Sequence, residues 1–393
     1  MANVRELVQD IDQTASTATV AETRGSRRAW FIALMTVILT HLIFMGVAWS
    51  ASWLLSSGRG PSDIGLLEMW YQFDAEHLLK VAEFGYTDPR TFEFSTVFFP
   101  LFPLLVKALG TVGIPLSLAG LLIPGAASVV AFAYLFRLAE EEIGPGSGRS
   151  AVMLLAFFPT GLFLIAPYTE ALFLAGAIPA FYYARKGQWS LVALPAAIAM
   201  GARNTGIFLI IGLVIEALRQ RPPGHLIDRT AIKSLVIGTL PLILYCSYLL
   251  AVFGDPLHFI TDYNDGWNRG FTDPFHSLVT TLGMTEIPAY PTNWMMAARG
   301  ELVALCLGVG VVTWAVVRKH WGYAAYSGTL LAVLLTGPFL YSTPRALLQL
   351  FPVVLMIVEG TRERAGARDA VLVGSTSLAV LGAIVFTQGG WFY

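Results

Sequence analysis

The stretch Arg27-Arg28-Ala29-Trp30-Phe31-Ile32-Ala33-Leu34-Met35-Thr36-Val37-Ile38-Leu39-Thr40-His41-Leu42-Ile43-Phe44-Met45-Gly46-Val47-Ala48-Trp49-Ser50-Ala51-Ser52-Trp53-Leu54-Leu55 decides the fold class. A helix that crosses a bilayer needs about 20 largely apolar residues, whereas the apolar core of a signal peptide spans roughly 7–15. The run from Ala29 to Leu55 is too long for the second, so it reads as a retained first span. Arg24, Arg27 and Arg28 flank its start, and basic flanks stay on the cytosolic side. Residues 1–28 are polar and rich in Thr, Ala and small acids, and are expected as a cytosolic N-terminal tail. Residues 29–393 are expected as one transmembrane domain.

Composition supports this reading along the whole chain. Of 393 residues, 55% are hydrophobic and only 13% charged, where ordinary soluble domains carry about 25% charged residues. Mean hydropathy is +0.64. The fold class is therefore all-α, a polytopic transmembrane helical bundle. A net charge of −1 supplies no basic field, which argues against nucleic acid as a partner. Cys246 and Cys306 lie inside apolar runs and cannot form a zinc cluster by themselves.

Further spans are expected near 115–136, 150–166, 169–184, 189–201, 205–218, 234–253, 300–317, 322–340, 345–359 and 369–387. The pair 189–201 and 205–218 could equally be one broken helix. Arg185 and Lys186, then Arg219, Arg221, Arg229 and Lys233, then Arg318 and Lys319, then Arg362, Arg364 and Arg368 all fall inside if 97–112 does not cross. The loop 137–149 also falls inside, although Glu140, Glu141 and Glu142 make it an unclear case. The expectation is about 11 membrane spans, N-terminus in, in the cell membrane. Gly144-Pro145-Gly146-Ser147-Gly148 lacks the Lys and Ser/Thr of a phosphate loop and reads as a turn.

The unusual residues then fall on the extracytoplasmic side, in loops 56–96 and 254–299 and at nearby helix ends. In the first loop, Trp70-Tyr71-Gln72-Phe73-Asp74-Ala75-Glu76-His77-Leu78-Leu79-Lys80-Val81-Ala82-Glu83-Phe84-Gly85-Tyr86 predicts an amphipathic helix at the membrane surface. Ala75, Leu78, Leu79 and Ala82 form its apolar face, and Gly85 ends it. Asp74 and His77 share one face; Glu76 and Lys80 share another and suit a solvated pair. A carboxylate beside lipid is costly unless it has a partner or a task, which makes Asp74 the first catalytic candidate. His77 could assist it or bind a metal. Val97-Phe98-Phe99-Pro100-Leu101-Phe102-Pro103 has two prolines three apart, which predicts a re-entrant or bent segment.

Tyr168-Thr169-Glu170 opens an apolar helix; Glu170 is either an acid favoured by the helix dipole or a group that positions a substrate hydroxyl. Arg203-Asn204 and Arg345 sit between apolar helices. Each guanidinium either snorkels to water or grips a phosphate through its planar donor fork. The run from Asp255 through Trp267 and Arg269 mixes carboxylates, amides and aromatics, as sugar sites do; an interfacial aromatic belt would look similar. Asp255, Trp267, Arg269, Tyr168, Asn204, Glu170 and His77 are thus substrate-binding candidates. No metal ligand set stands out and no cofactor is implied, although a divalent cation stays open.

An ordered set of motifs carries a resemblance. Phe73-Asp74-Ala75 with Gly85-Tyr86, Phe98-Phe-Pro-Leu-Phe-Pro103, Pro167-Tyr-Thr-Glu-Ala-Leu-Phe173, Arg203-Asn-Thr-Gly206, Phe253-Gly-Asp-Pro256 with Trp267 and Arg269, and Pro344-Arg345 with Phe351-Pro352 resemble the PIG-V-type mannosyltransferases. These belong to the GT-C class of integral-membrane glycosyltransferases. The family usually has Trp before the Asp; Phe73 keeps an aromatic there. The resemblance implies a polyprenyl-phosphate sugar donor, an outward-facing active site, and a glycan, lipid or protein acceptor that it does not identify. The rival reading is a polytopic transporter or lipid flippase, which would call for an internal repeat.

Overall fold

The computed structural model describes residues 2–55, 65–286 and 292–392. Arg59 and Asp63 of the first loop lie outside them. Sixteen helices follow in chain order. They are α1 (Ala2–Leu55), α2 (Asp74–Phe84), α3 (Leu101–Thr111), α4 (Leu116–Glu142), α5 (Ser147–Ala156), α6 (Glu170–Arg185), α7 (Ala193–Ala202) and α8 (Gly206–Gln220). The second half holds α9 (Arg229–Phe253), α10 (His258–Trp267), α11 (Pro274–Met284), α12 (Thr292–Val317), α13 (Trp321–Leu334), α14 (Thr343–Gln349), α15 (Pro352–Thr361) and α16 (Ala365–Thr387). No strand occurs among the described residues, so the all-helical expectation holds.

Among the described residues, five helices are long and apolar enough to cross a membrane: Gly25–Leu55 within α1, then α4, α9, α12 and α16. Helices α14 and α15 are apolar enough only as a pair, bent by 82° at their junction, which is either a broken span or a re-entrant loop. The other apolar runs form shorter pieces. The expected span 150–166 contains only the end of α5 and a 3₁₀ turn, Gly161–Leu164. Residues 2–25, expected to be irregular, continue the backbone helix of α1.

Helix α6 is the hub, buried along nearly its whole length. Its Gly176 meets α7 so closely that an added methyl would sit 2.5 Å from Ala199 N and Pro195 O. Small residues at such crossings let backbones approach where there is no water to drive helices together. Gly212 of α8 plays the same part against Gly322 of α13, 2.7 Å from its carbonyl oxygen.

Both ends of α6 gather ion pairs. At its C-terminal end Arg185 pairs with Glu142, Lys186 with Glu141 at 2.8 Å, and Arg362 donates to the Ile143 carbonyl. The acids that obscured loop 137–149 are thus matched by the basic residues expected on the same side. The Gly-rich turn has its Gly146 and Gly148 N–H groups taken by the Glu140 carboxylate, at 3.0 and 2.8 Å, as a plain turn would.

One local expectation is corrected. The prolines of 97–107 start a helix rather than break one: Pro100 precedes α3, and Pro103 sits in its first turn, where a missing N–H costs little. Residues 254–299, expected as an outside loop, hold α10, α11 and the start of α12; residues 287–291 lie outside the described set.

Candidate functional site

The site forms at the N-terminal end of α6. Helix α2 supplies its first residue. Asp74 and Glu76 lie in the first turn, where acids suit the helix dipole. Ala75, Leu78, Val81 and Ala82 are buried. Val81 joins the expected face, Leu79 is partly buried against the core, and the helix packs against α3 and α4. Burying Leu78 and Val81 contributes about 1.5–3 kcal/mol each. Gly85 ends the helix with φ +85° and ψ −175°, and its N–H donates to the Val81 carbonyl at 2.9 Å.

The residue before Asp74 is strained. Phe73 has φ 54° and ψ −121°, a conformation that glycine adopts freely and a bulky residue does not. The bend aims Asp74 at α14 instead of solvent. Asp74 Oδ2 accepts from Arg345 Nη1 at 2.7 Å. Arg345 Nε donates to Glu170 Oε1 at 2.5 Å, and Arg203 Nη1 donates to the same oxygen at 2.7 Å and to Thr169 Oγ1 at 2.6 Å. Two arginines and two carboxylates therefore form one chain, Asp74–Arg345–Glu170–Arg203. The Arg345 guanidinium also lies over the Tyr168 and Phe163 rings, 4.6 and 4.8 Å from their centroids. Tyr168 donates to the Gln72 carbonyl at 3.0 Å, which ties this platform to the Phe73 bend.

Glu170 is wholly buried and its Oε2 has no hydrogen-bond partner among the described residues; nor does Arg203 Nε. A buried half-satisfied carboxylate costs stability, so this arrangement is not one that packing alone would select.

These groups border a cavity of about 560 Å³. Its charged lining is Asp74, Arg203, Arg269 and Arg345; Tyr168, Asn204 and Trp267 also line it. Seven of the ten expected site residues are thus brought together from five places in the chain. The other three stand apart. Glu170 sits behind the wall and clamps both arginines. His77 stacks on Phe92 and Phe98, with centroids 4.6 and 5.9 Å away, and burial holds its imidazole below the usual value while Asp74 and Glu76 oppose that. Asp255 accepts from the Leu257 N–H at 2.9 Å, as a turn residue does. Glu76 pairs with Lys80 at 2.7 Å, as expected.

Arg269 reaches the cavity from the end of α10. Asn268, with φ 51°, turns the chain there, and Arg269 Nη2 donates to the Tyr341 carbonyl at 3.1 Å. Its guanidinium lies 4.8 Å from the Tyr341 ring centroid, and Tyr341 stacks on Trp391 at 5.2 Å. Burial lowers the Arg269 pKa. Trp267 packs edge-on against Phe92 and Phe98.

Three supports escaped sequence reasoning. Glu301 is buried and accepts the Ser342 and Thr343 N–H groups at 2.7 and 2.8 Å, which fixes the start of α14 and so the position of Arg345. Its signal was a lone acid at the edge of an apolar run. Asp262 accepts from Thr96 N at 3.0 Å and Oγ1 at 2.5 Å, pinning α10 under the cavity. Trp391 and Phe392 close the cavity from the C-terminal segment. Nothing in the sequence near them marked that role.

No known family model matches the chain. It is similar to GPI alpha-1,6-mannosyltransferase 2 of Homo sapiens, 34% identical over 168 residues, 40% of this chain and 33% of that protein. The Mus musculus protein of that name is 32% identical over 155 residues, 36% of this chain and 30% of its own length. The Rattus norvegicus protein is 30% identical over 186 residues, 44% of this chain and 36% of its own. The resemblance read from the ordered motifs is thus to the proteins these matches name. The chain matches about a third of each relative's length.

Proposed function

We propose that this chain is an integral-membrane glycosyltransferase that moves a hexose, mannose by its resemblance, from a polyprenyl-phosphate sugar to an acceptor hydroxyl on the extracytoplasmic face. Asp74 is its general base, and the shorter helices complete a bundle of about 11 crossings around the site. The observation that carries the reading is the shared ion pair: one guanidinium, Arg345, contacts both Asp74 and Glu170 at a cavity wall.

The chemistry balances at these groups. The acceptor oxygen attacks the anomeric carbon. The bond from that carbon to the phosphate oxygen breaks, and its electron pair leaves with the phosphate. The acceptor proton passes to Asp74. Negative charge vanishes from Asp74 as it grows on the phosphate. Arg345 can serve both, because its Nη2 makes no hydrogen bond among the described residues. One fixed cation therefore matches the charge before and after transfer, with little reorganisation. Arg203 is the second phosphate donor, and Glu170 holds the two forks in place. A single displacement inverts the anomeric centre. Trp267 and Trp391 line the cavity and offer ring surface to the sugar.

The test uses purified protein in lipid nanodiscs with radiolabelled polyprenyl-phosphate mannose, with and without a membrane-lipid extract as acceptor. Acceptor-dependent loss of donor, absent in Asp74→Asn, is the expected result. Near-normal turnover by Asp74→Asn removes the base assignment. Lipid movement without donor loss, for any sugar, favours the flippase reading.

A further inference from the structure

A second cavity lies at the other end of the molecule. Its volume is about 360 Å³ and it opens between α5, α15 and α16. The floor is apolar: Met153 and Leu154 from α5, Ile357 and Val358 from α15, Val371 and Leu372 from α16. The rim is basic and polar, with Arg149, Arg368, Ser150 and Thr361. This is the end at which Arg362 reaches across to the Ile143 carbonyl, the side expected to face the cytosol.

From this geometry we infer a binding site for an anionic phospholipid, with the phosphate headgroup between Arg149 and Arg368 and the upper acyl chain along Leu154, Val358 and Leu372. Neither half of the lining makes sense alone. An apolar cleft beside a transmembrane helix is filled by lipid tail in any membrane, and exposed arginines beside a bilayer attract anionic headgroups. Here the two are joined in one concave space, which selects a molecule with both parts.

The charges around the rim favour an anion. Arg149 is exposed and enters none of the ion pairs among the described residues, and Arg368 has only a 3.6 Å contact with its exposed neighbour Asp369. Glu140, on the α4 side, has its carboxylate engaged by the Gly146 and Gly148 N–H groups. Glu363 is exposed on the turn before α16 and is outnumbered by Arg362, Arg364 and Arg368. A backbone anion site at the start of α5 is already filled by Glu140, so the ligand's phosphate must be held by side chains. A headgroup here would join α5 to α15 and α16. Helix α15 continues from α14, which carries Arg345, and the site is nevertheless distinct from the sugar cavity.

The test is independent of glycosyl transfer. Full-length protein, delipidated in detergent, is incubated with phosphatidylglycerol or phosphatidylcholine micelles, and retained lipid is counted by native mass spectrometry. Retention of phosphatidylglycerol should exceed that of phosphatidylcholine at least fivefold. Arg149→Ala with Arg368→Ala should abolish the preference, and Val371→Trp should reduce retention by filling the cleft while keeping both charges. Arg219→Ala with Arg221→Ala, an exposed basic pair elsewhere on the same expected side, should leave it unchanged. Equal retention of the two lipids overturns the inference. So does an equal loss in the control pair, which would mean diffuse attraction, or displacement by millimolar inorganic phosphate, which would mean a free-anion site. Melting temperatures of the variants report their folding.

Discussion

Glu170 shows how far one residue's role depends on what surrounds it. At an exposed helix start, an acid gains at most about 1 kcal/mol from the dipole. Here it is wholly buried between two guanidinium groups. Removing one member of such a group leaves uncompensated charge, at a cost of about 3–5 kcal/mol. Glu170→Ala should therefore lower stability by that amount, read as a fall in melting temperature in detergent, and Glu170→Gln should lose less because it keeps an acceptor. Asp74→Asn should behave differently. Asp74 borders the cavity, and its amide still accepts from Arg345. The expected outcome is an unchanged melting temperature with turnover down about 10²–10⁴-fold, the range for losing a general base.

Helix α2 is the element that brings this chemistry to its place. Its end was legible from Gly85, since only a residue without Cβ adopts φ +85° and ψ −175° readily; its start at Asp74, inside a stretch read as helical from Trp70, was not. Nothing lies within 4 Å of a methyl added at Gly85, so Gly85→Ala isolates the backbone term. It should cost about 1–3 kcal/mol and loosen the helix end, measured by urea unfolding or proteolysis near Tyr86. The strain at Phe73 was not legible. Nothing in the types Gln-Phe-Asp asks for a left-handed φ, and the demand comes from α14, against which Asp74 must turn. The prolines of α3 teach the same lesson: their effect depends on register within the helix, which spacing alone does not set.

The bundle as a whole is built on close helix crossings and on charge sorted to its two ends. Gly176→Ala would push a methyl into the α7 backbone, whose atoms cannot give way as a side chain can. It should cost about 1–3 kcal/mol and weaken the site as well, since α6 carries Glu170 and the α7–α8 junction carries Arg203. The pH response follows from two histidines. Burial lowers the His77 pKa, and burial with the adjacent Arg185 pushes His320 down to about 4. Free imidazole titrates near roughly 6.5. As pH falls through that value the unfolded chain binds protons that the folded chain refuses. Their contribution is fully present above pH of about 6.5 and is lost as pH falls toward the folded values. His320→Gln should flatten the loss of melting temperature between neutral and mildly acid pH.

The sequence by itself determined the membrane class, the helix at Asp74 and the cast of charged residues, because long apolar runs and isolated charges have few physical solutions in lipid. It could not settle which helices cross in full. A run of apolar residues buries equally well against protein or lipid, and α5, α6 and α13 end before the roughly 20 residues a straight crossing needs. Only the tertiary structure decided the partners: that Arg345 bridges Asp74 and Glu170, that Glu301 anchors Arg345 from another helix, and that the C-terminal aromatics close the cavity. Those contacts join residues as many as 271 positions apart. Such pairings follow from how the helices cross, and crossing geometry is set by packing over the whole bundle, which no local pattern encodes.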